Sequence, residues 1–241
     1  MKEKRRMQPL YLQIKKIITE GLVEGLWHPG QSIPSEIELA HSYNVSQGTV
    51  RKAIDELTAE KILIRRQGKG TFIASHNEED NQLRFLRLTS NLGKKEKFDN
   101  KLLSFEKEKA SNSLAMSLNI SNRSAIFSMK RILTFNQRPL VLDLIKVPAS
   151  PFRGLIPDKV IEKKGLMYRM YEMDFDIQIL NAKEKIKAVA AESEAAKLLG
   201  VSVGSPILSI ERVSFTYDNR PIEWRLGLCL TENHHYSTEL E

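Results

Sequence analysis

The sequence predicts an α+β protein built in two parts: a small helical head, then a larger and mostly antiparallel sheet that carries helices. Three observations lead there. Up to about residue 60, apolar residues recur at the i, i+3, i+4, i+7 spacing of amphipathic helices. Beyond residue 83 the chain runs in long β-type stretches joined by Asn- and Asp-containing turns. Between the two lies His76-Asn-Glu-Glu-Asp-Asn-Gln82, polar and without period, which reads as a linker. The expected organisation is therefore residues 1–75, a linker at 76–82, and residues 83–241. With 241 residues there is enough chain for two modest cores.

In the head, Pro9 suits a helix start because its missing N–H costs nothing there. Leu10, Ile14, Ile17, Ile18 and Leu22 continue one apolar face to about Glu24, where Gly25 and His28-Pro-Gly30 end the helix. Ser35 and Glu38 have capping-box spacing, so a second short helix starts there and runs to about Tyr43-Asn44. Ser46 can cap a third, whose Val50, Ala53, Ile54 and Leu57 face the core. Its other face opens with Gln47, Thr49, Arg51 and Lys52, side chains suited to base edges and phosphates. Two short helices joined by a tight turn make a helix-turn-helix, and the third helix reads as the one that enters a major groove. Ile62-Leu-Ile64 and Thr71-Phe-Ile73 then flank Arg65-Arg-Gln-Gly-Lys-Gly70. Gly68 and Gly70 let that turn adopt positive φ, and Arg65, Arg66 and Lys69 make it a basic "wing" beside the DNA backbone.

Charge supports that reading locally more than globally. The net charge is +7; residues 1–75 hold twelve Lys/Arg and eight Asp/Glu, the rest twenty-five and twenty-two. Lys61, Arg65, Arg66 and Lys69 follow one another with no acid between them. The single cysteine, Cys229, excludes an intrachain disulfide framework and fits a reducing, cytoplasmic setting. Polar residues from Gln8 to Lys16 interrupt any signal-peptide core, and no run approaches a membrane span, so a soluble protein without a membrane partner is expected. Gly68-Lys-Gly-Thr71 lacks the spacing of a phosphate-binding P-loop. His234-His235 has no third ligand nearby, so no metal and no cofactor is expected.

In the second part, strands are predicted over Leu83–Thr89, Leu102–Lys109, Ala125–Phe135, Leu140–Val147, Ile177–Ala188, Ile207–Tyr217 and Ile222–Leu230. Asn136-Gln-Arg138 and Asp218-Asn-Arg220 read as hairpin turns, each followed by a strand-opening proline. Helices fit Ser111–Leu118, Asp158–Lys163, Leu166–Met173 and Val189–Leu199, the last ended by Gly200. Tyr168, Tyr171 and Phe175 read as core residues of their helix.

Three stretches of the head, Pro34-Ser-Glu-x-Glu-Leu-Ala40, Val45-Ser-Gln-Gly-Thr-Val-Arg-Lys-Ala-x-Asp-Glu-Leu57 and Arg65-Arg-Gln-Gly-Lys-Gly-Thr-Phe72, resemble the winged helix-turn-helix of GntR-type bacterial transcriptional regulators. By position the resemblance implies DNA contact from Ser46, Gln47, Thr49 and Arg51, and from Gln67, Gly68 and Lys69 in the wing. The residues themselves add Lys52, Arg65 and Arg66. Many members carry arginine where this chain has Ile37. The second part is similar to the UTRA effector-binding domain of the HutC branch, on Met129-Lys-Arg131, Asn-Gln-Arg-Pro139, Asp143, Leu-Leu-Gly-Val201, Gly-Ser-Pro-Ile-Leu208-x-Ile-Glu-Arg212 and Asn219-Arg-Pro-Ile-Glu223. That resemblance implies a chorismate-lyase-like fold, a small-molecule pocket and dimerisation. It implies ligand contact from Arg87, Thr89, Ser90, Arg131, Asp143 and Glu223; Arg225, on the same strand face as Glu223, is a further candidate. Leu133 stands where members that bind sugar phosphates often have a second arginine, which points to a smaller organic acid.

Together these imply a homodimeric repressor that binds a roughly two-fold symmetric DNA operator and responds to a metabolite. Two other readings exist. The second part is a lyase-like enzyme, against which stands the lack of any nucleophile–base pair or catalytic carboxylate pair; or it only dimerises.

Overall fold

The computed structural model of the chain describes residues 8–75, 87–93, 98–163 and 166–238. The predicted linker, and all but the last three residues of the strand predicted at Leu83–Thr89, lie outside them. The chain divides into two compact units, residues 1–77 and 78–241.

The first unit is built by its caps. Helix α1 (Leu10–Val23) starts directly after Pro9. Helix α2 (Glu36–Ser42) carries the full capping box: Ser35 Oγ accepts from the Glu38 backbone N–H, and the Glu38 carboxylate accepts from that of Ser35. Helix α3 (Gln47–Ala59) has Ser46 as its cap, accepting from the Thr49 N–H. Ile14, Ile18, Leu22, Leu39, Val50, Ala53, Ile54 and Leu57 interlock as one buried core, and Lys15 of α1 bonds Glu60 just beyond α3. Strands β1 (Leu63–Arg66) and β2 (Gly70–Ile73) follow as an antiparallel hairpin. Its turn requires glycine, with φ of +69° at Gly68 and +104° at Gly70. Ser32 adds a bridge to Phe72 on the outer side.

The second unit is a six-stranded antiparallel sheet in the order β4-β5-β6-β9-β8-β7. Its strands are β4 (Phe98–Lys109), β5 (Ala125–Phe135), β6 (Arg138–Pro148), β7 (Asn181–Ala190), β8 (Pro206–Phe215) and β9 (Pro221–Cys229). A separate short ribbon pairs β3 (Leu88–Ser90) with β10 (His234–Tyr236). Helices α5 (Pro157–Glu162) and α6 (Met167–Phe175) share a core with Met129, Ile145 and Val147 of one sheet face. On the opposite face, α7 (Ser193–Leu199) packs on Ile132 and Leu142, and α4 (Asn112–Ser117) on Ile126. The two faces alternate along β5, which is why every second residue changes partners.

Several element boundaries differ from the sequence expectation: β4 starts at Phe98, four residues before the predicted Leu102, and two others shift as far for a visible reason. The helix predicted from Val189 begins only at Ser193, because Val189 and Ala190 complete β7 opposite Ile207 and Pro206. The strand predicted from Ile177 begins at Asn181; Ile177 and Ile179 are buried beneath α6 before pairing starts. Among the described residues, no helix is long and apolar enough to cross a membrane.

Candidate functional site

Two groupings of polar side chains stand out, one in each unit. In the first, the predicted reading residues lie at the start of α3 and along the wing, and three of them, Gln47, Arg51 and Arg65, meet at one carboxylate. Ser46, Gln47, Arg51 and Lys52 are exposed and Thr49 is half-buried, while Arg65, Arg66, Gln67, Gly68 and Lys69 project along the exposed wing. Ser46 and Thr49 share a hydroxyl hydrogen bond of 2.9 Å at the start of α3. Lys52 sits 4.0 Å over the Tyr11 ring and the Arg66 guanidinium 4.6 Å over Phe72, each steadied by the ring face.

The residue that sequence reasoning missed is Glu36. Its Oε2 accepts from Arg51 Nε at 2.9 Å and from Gln47 Nε2 at 3.3 Å, and its Oε1 accepts from Arg65 Nη2 at 3.1 Å. Arg65 Nη2 also lies 2.8 Å from Asp55 Oδ1. The Arg51 hydrogen bond above all holds the Glu36 carboxyl below the ordinary carboxylate value. Its partners are eleven to twenty-nine residues away in sequence, so no local periodicity could reveal them.

In the second unit a band of charge crosses the face shared with α6. Arg131 and Asp143 are register partners on β5 and β6. Arg131 Nε and Nη2 donate to Asp143 Oδ2 at 3.0 and 2.8 Å. Arg225 reaches the same oxygen from β9 at 3.5 Å and donates to Glu223 from Nε and Nη2 at 3.2 and 2.9 Å. Glu223 is wholly buried and also accepts from Tyr168, Tyr171 and Ser214 at 3.0, 2.7 and 3.2 Å. Arg212 of β8 donates to Glu184 of β7 at 2.7 Å, and Tyr236 of β10 bonds the same carboxylate. Arg87 donates to Thr238 Oγ1 at 2.7 Å.

Burial, reinforced by the Glu223 carboxylate, pushes the Tyr171 phenol well above its ordinary range, so it acts as a donor. Burial works against the charge of Arg225, but Glu223, Tyr168, Asp143 and Tyr171 more than offset it. Burial likewise drives the Cys229 thiol upward, which makes it a protonated packing group rather than a nucleophile. Among the described residues, the guanidinium groups of Arg87, Arg131, Arg212 and Arg225 stand with the carboxylates of Asp143, Glu184 and Glu223, four cations to three anions. Arg87, Asp143, Arg212, Arg225 and Gly227 line a cavity of about 30 Å³, room for roughly one water molecule.

Of the predicted ligand residues, Arg87, Asp143 and Arg225 reach that cavity. Arg131 and Glu223, 3 % and 0 % exposed, stand behind it and hold Asp143 and Arg225. Thr89 is exposed on β3, paired through its backbone with His235, and Ser90 lines a separate open cleft with Asn136, Arg138 and His234. Sequence reasoning missed Arg212, Glu184 and Gly227. Tyr168 and Tyr171 are core residues as expected, but their hydroxyls serve Glu223. Leu133 is buried against Leu140, Val141 and Ile210, so β5 offers no second arginine; β8 and β9 supply guanidinium groups instead. Among the described residues, no cluster of three or more His, Cys, Asp or Glu could hold a metal ion. His235 bonds Asn91 and His234 packs near Phe135.

A capped helix-turn-helix with a basic wing, joined to a sheet domain with a charged seat, defines a two-part bacterial transcriptional regulator. Comparison with known proteins agrees. Residues 10–73 match the family described as bacterial regulatory proteins, gntR family, and residues 94–235 match the UTRA domain. The chain belongs to the GntR family and carries a UTRA domain. It is 31% identical over 216 residues, 89% of this chain and 88% of the relative, to a probable fructoselysine utilization operon transcriptional repressor of Escherichia coli (strain K12). It is 33% identical to the HTH-type transcriptional regulator YurK of Bacillus subtilis (strain 168), over 92% of each chain. A crystal structure described as the ligand-binding domain of a GntR-family regulator from Bordetella bronchiseptica matches with a TM-score of 0.61 and 34% identity, covering 64% of this chain and 96% of that one. These families and relatives are regulators of transcription, not enzymes.

Proposed function

We propose that the chain is a homodimeric, operator-specific repressor of the HutC branch, whose DNA affinity is set by a small organic anion held in the UTRA domain. The convergence of Gln47, Thr49 and Arg51 at the exposed start of α3, beside the wing cations, carries the first half. An α-helix fits the major groove, where arginine pairs with guanine O6 and N7 and glutamine with adenine. Arg66 and Lys69 on the adjoining wing can reach phosphates, and Lys52 adds a backbone contact. Two heads then meet two half-sites roughly 10 bp apart or a multiple of that.

The charge excess supports the second half. Arg87, Arg212 and Arg225 can receive a carboxylate or phosphate, with Asp143 taking a donor from the same molecule. Arg131, Glu223, Tyr168 and Tyr171 hold these groups in place. The relative named for fructoselysine utilization favours a sugar-derived acid. A cavity of about 30 Å³ admits only the charged end of such a molecule, so entry displaces Arg87 and the β3 ribbon. Coupling of ligand to operator typically changes affinity by roughly 5- to 150-fold.

The test of the reading is Arg51→Ala. Binding to a preferred duplex, selected from random-sequence DNA, should weaken by roughly tenfold or more while binding to random duplex changes little. An equal loss on both duplexes contradicts base reading.

A further inference from the structure

The carboxylate of Glu36 receives side chains from two elements at once: Gln47 and Arg51 from α3, and Arg65 from the wing. Arg51 approaches it side-on. Its Nε and its Nη2 each lie 2.9 Å from Oε2. A guanidinium offers two donor forks, the Nε–Nη2 side and the Nη1–Nη2 end. The side fork is committed to Glu36, so the end fork is the one left to match O6 and N7 of a guanine. Arg51 and Arg65 are still 56% and 44% exposed, so neither is removed from the surface by this contact.

We infer that Glu36 is a positioning residue for base reading: it presents Arg51 end-on to a guanine and holds Arg65 back from indiscriminate phosphate contact. This rests on the assignment of α3 as the reading helix. An arginine tied along one edge has less freedom to lose when it meets a base, so the energy of the contact goes into discrimination. A carboxylate at the reading face also repels phosphate, which lowers affinity for DNA of any sequence. Both effects raise the ratio of specific to non-specific binding.

The experiment uses the full chain and a duplex selected from random-sequence DNA, with single base-pair variants of it and a random duplex as comparison. Glu36→Ala should weaken binding to the selected duplex roughly tenfold and flatten discrimination at one G·C pair. On the random duplex it should hold or strengthen binding and steepen the salt slope by about one, as a freed cation finds a phosphate. In an Arg51→Ala background, Glu36→Ala should cause no further loss of selected-duplex binding. Glu36→Gln preserves the packing and removes the charge, so it should move each quantity in the same direction even where Glu36→Ala disturbs folding. A loss shared equally by both duplexes, or one of the same size with and without Arg51, would make Glu36 a scaffold residue and overturn the inference. A silent Glu36→Ala beside a selective Arg51→Ala also overturns it, and leaves the reading of α3 intact. A non-selective Arg51→Ala removes both.

Discussion

Arg131 and Asp143 are each 3 % exposed, and two hydrogen bonds join them. Moving an ion from water into a protein interior costs several kcal/mol, which only a close and well-bonded partner offsets. Asp143→Ala removes two charge-assisted hydrogen bonds from the buried guanidinium of Arg131. The expected loss is about 3–5 kcal/mol, read from urea unfolding followed by the tryptophan signal. Replacing both together, with Arg131→Met and Asp143→Leu, should cost far less, because an apolar pair needs no compensation. A single replacement as mild as the double would show the pair to be hydrated rather than buried. This pairing was legible in part: sequence placed both residues at acid and base positions of the family pattern. That they face the core together followed only from the register of β5 with β6.

At the scale of elements, β9 holds the more informative anomaly. Gly227 lies in the middle of a central strand, where glycine weakens the ladder and no positive φ calls for it. A Cβ there would stand 3.2 Å from Asp143 Oδ1 and 3.7 Å from Cys229 Sγ, so the absent side chain leaves the space between Asp143, Arg212 and Arg225. Gly227→Val should fill it. A panel of organic anions that raises the melting temperature of the natural protein should then raise it no longer, while binding to the selected duplex persists. A stabilisation by the same anions that survives Gly227→Val places their seat elsewhere, because a true effector stabilises the form it binds. The elements themselves were mostly legible. Helices α1 to α3 and the wing showed in apolar period, caps and glycines, and the long strands in their alternation and turns. What escaped was short or ambiguous. Strand β10 has three residues, too few for a period, and Val189-Ala190 suits a strand or a helix until Ile207 and Pro206 claim it.

For the whole molecule, the proposed reading needs the heads of two chains to act together on one operator. One winged head reads only a few base pairs, and neutralising a handful of phosphates gives weak, salt-sensitive binding. Two tethered heads turn the second docking into an intramolecular event, which raises affinity by a factor set by the connecting chain. On the proposed dimer, half-site centres must then lie on one side of the duplex, a whole number of turns of about 10 bp apart. Inserting about 5 bp between the half-sites of the selected operator turns one of them to the opposite side. Affinity should fall toward that of a single half-site. An insertion of about 10 bp restores the side and should recover part of the loss, according to how far the connection stretches. On the proposed reading, an anion held at Arg225 should change the affinity of the natural operator much more than that of an isolated half-site, because it would act on the pair of heads and not on the reading surface of each. If the 5-bp insertion leaves affinity unchanged, the heads bind independently, and control by a metabolite through their spacing fails with the dimer.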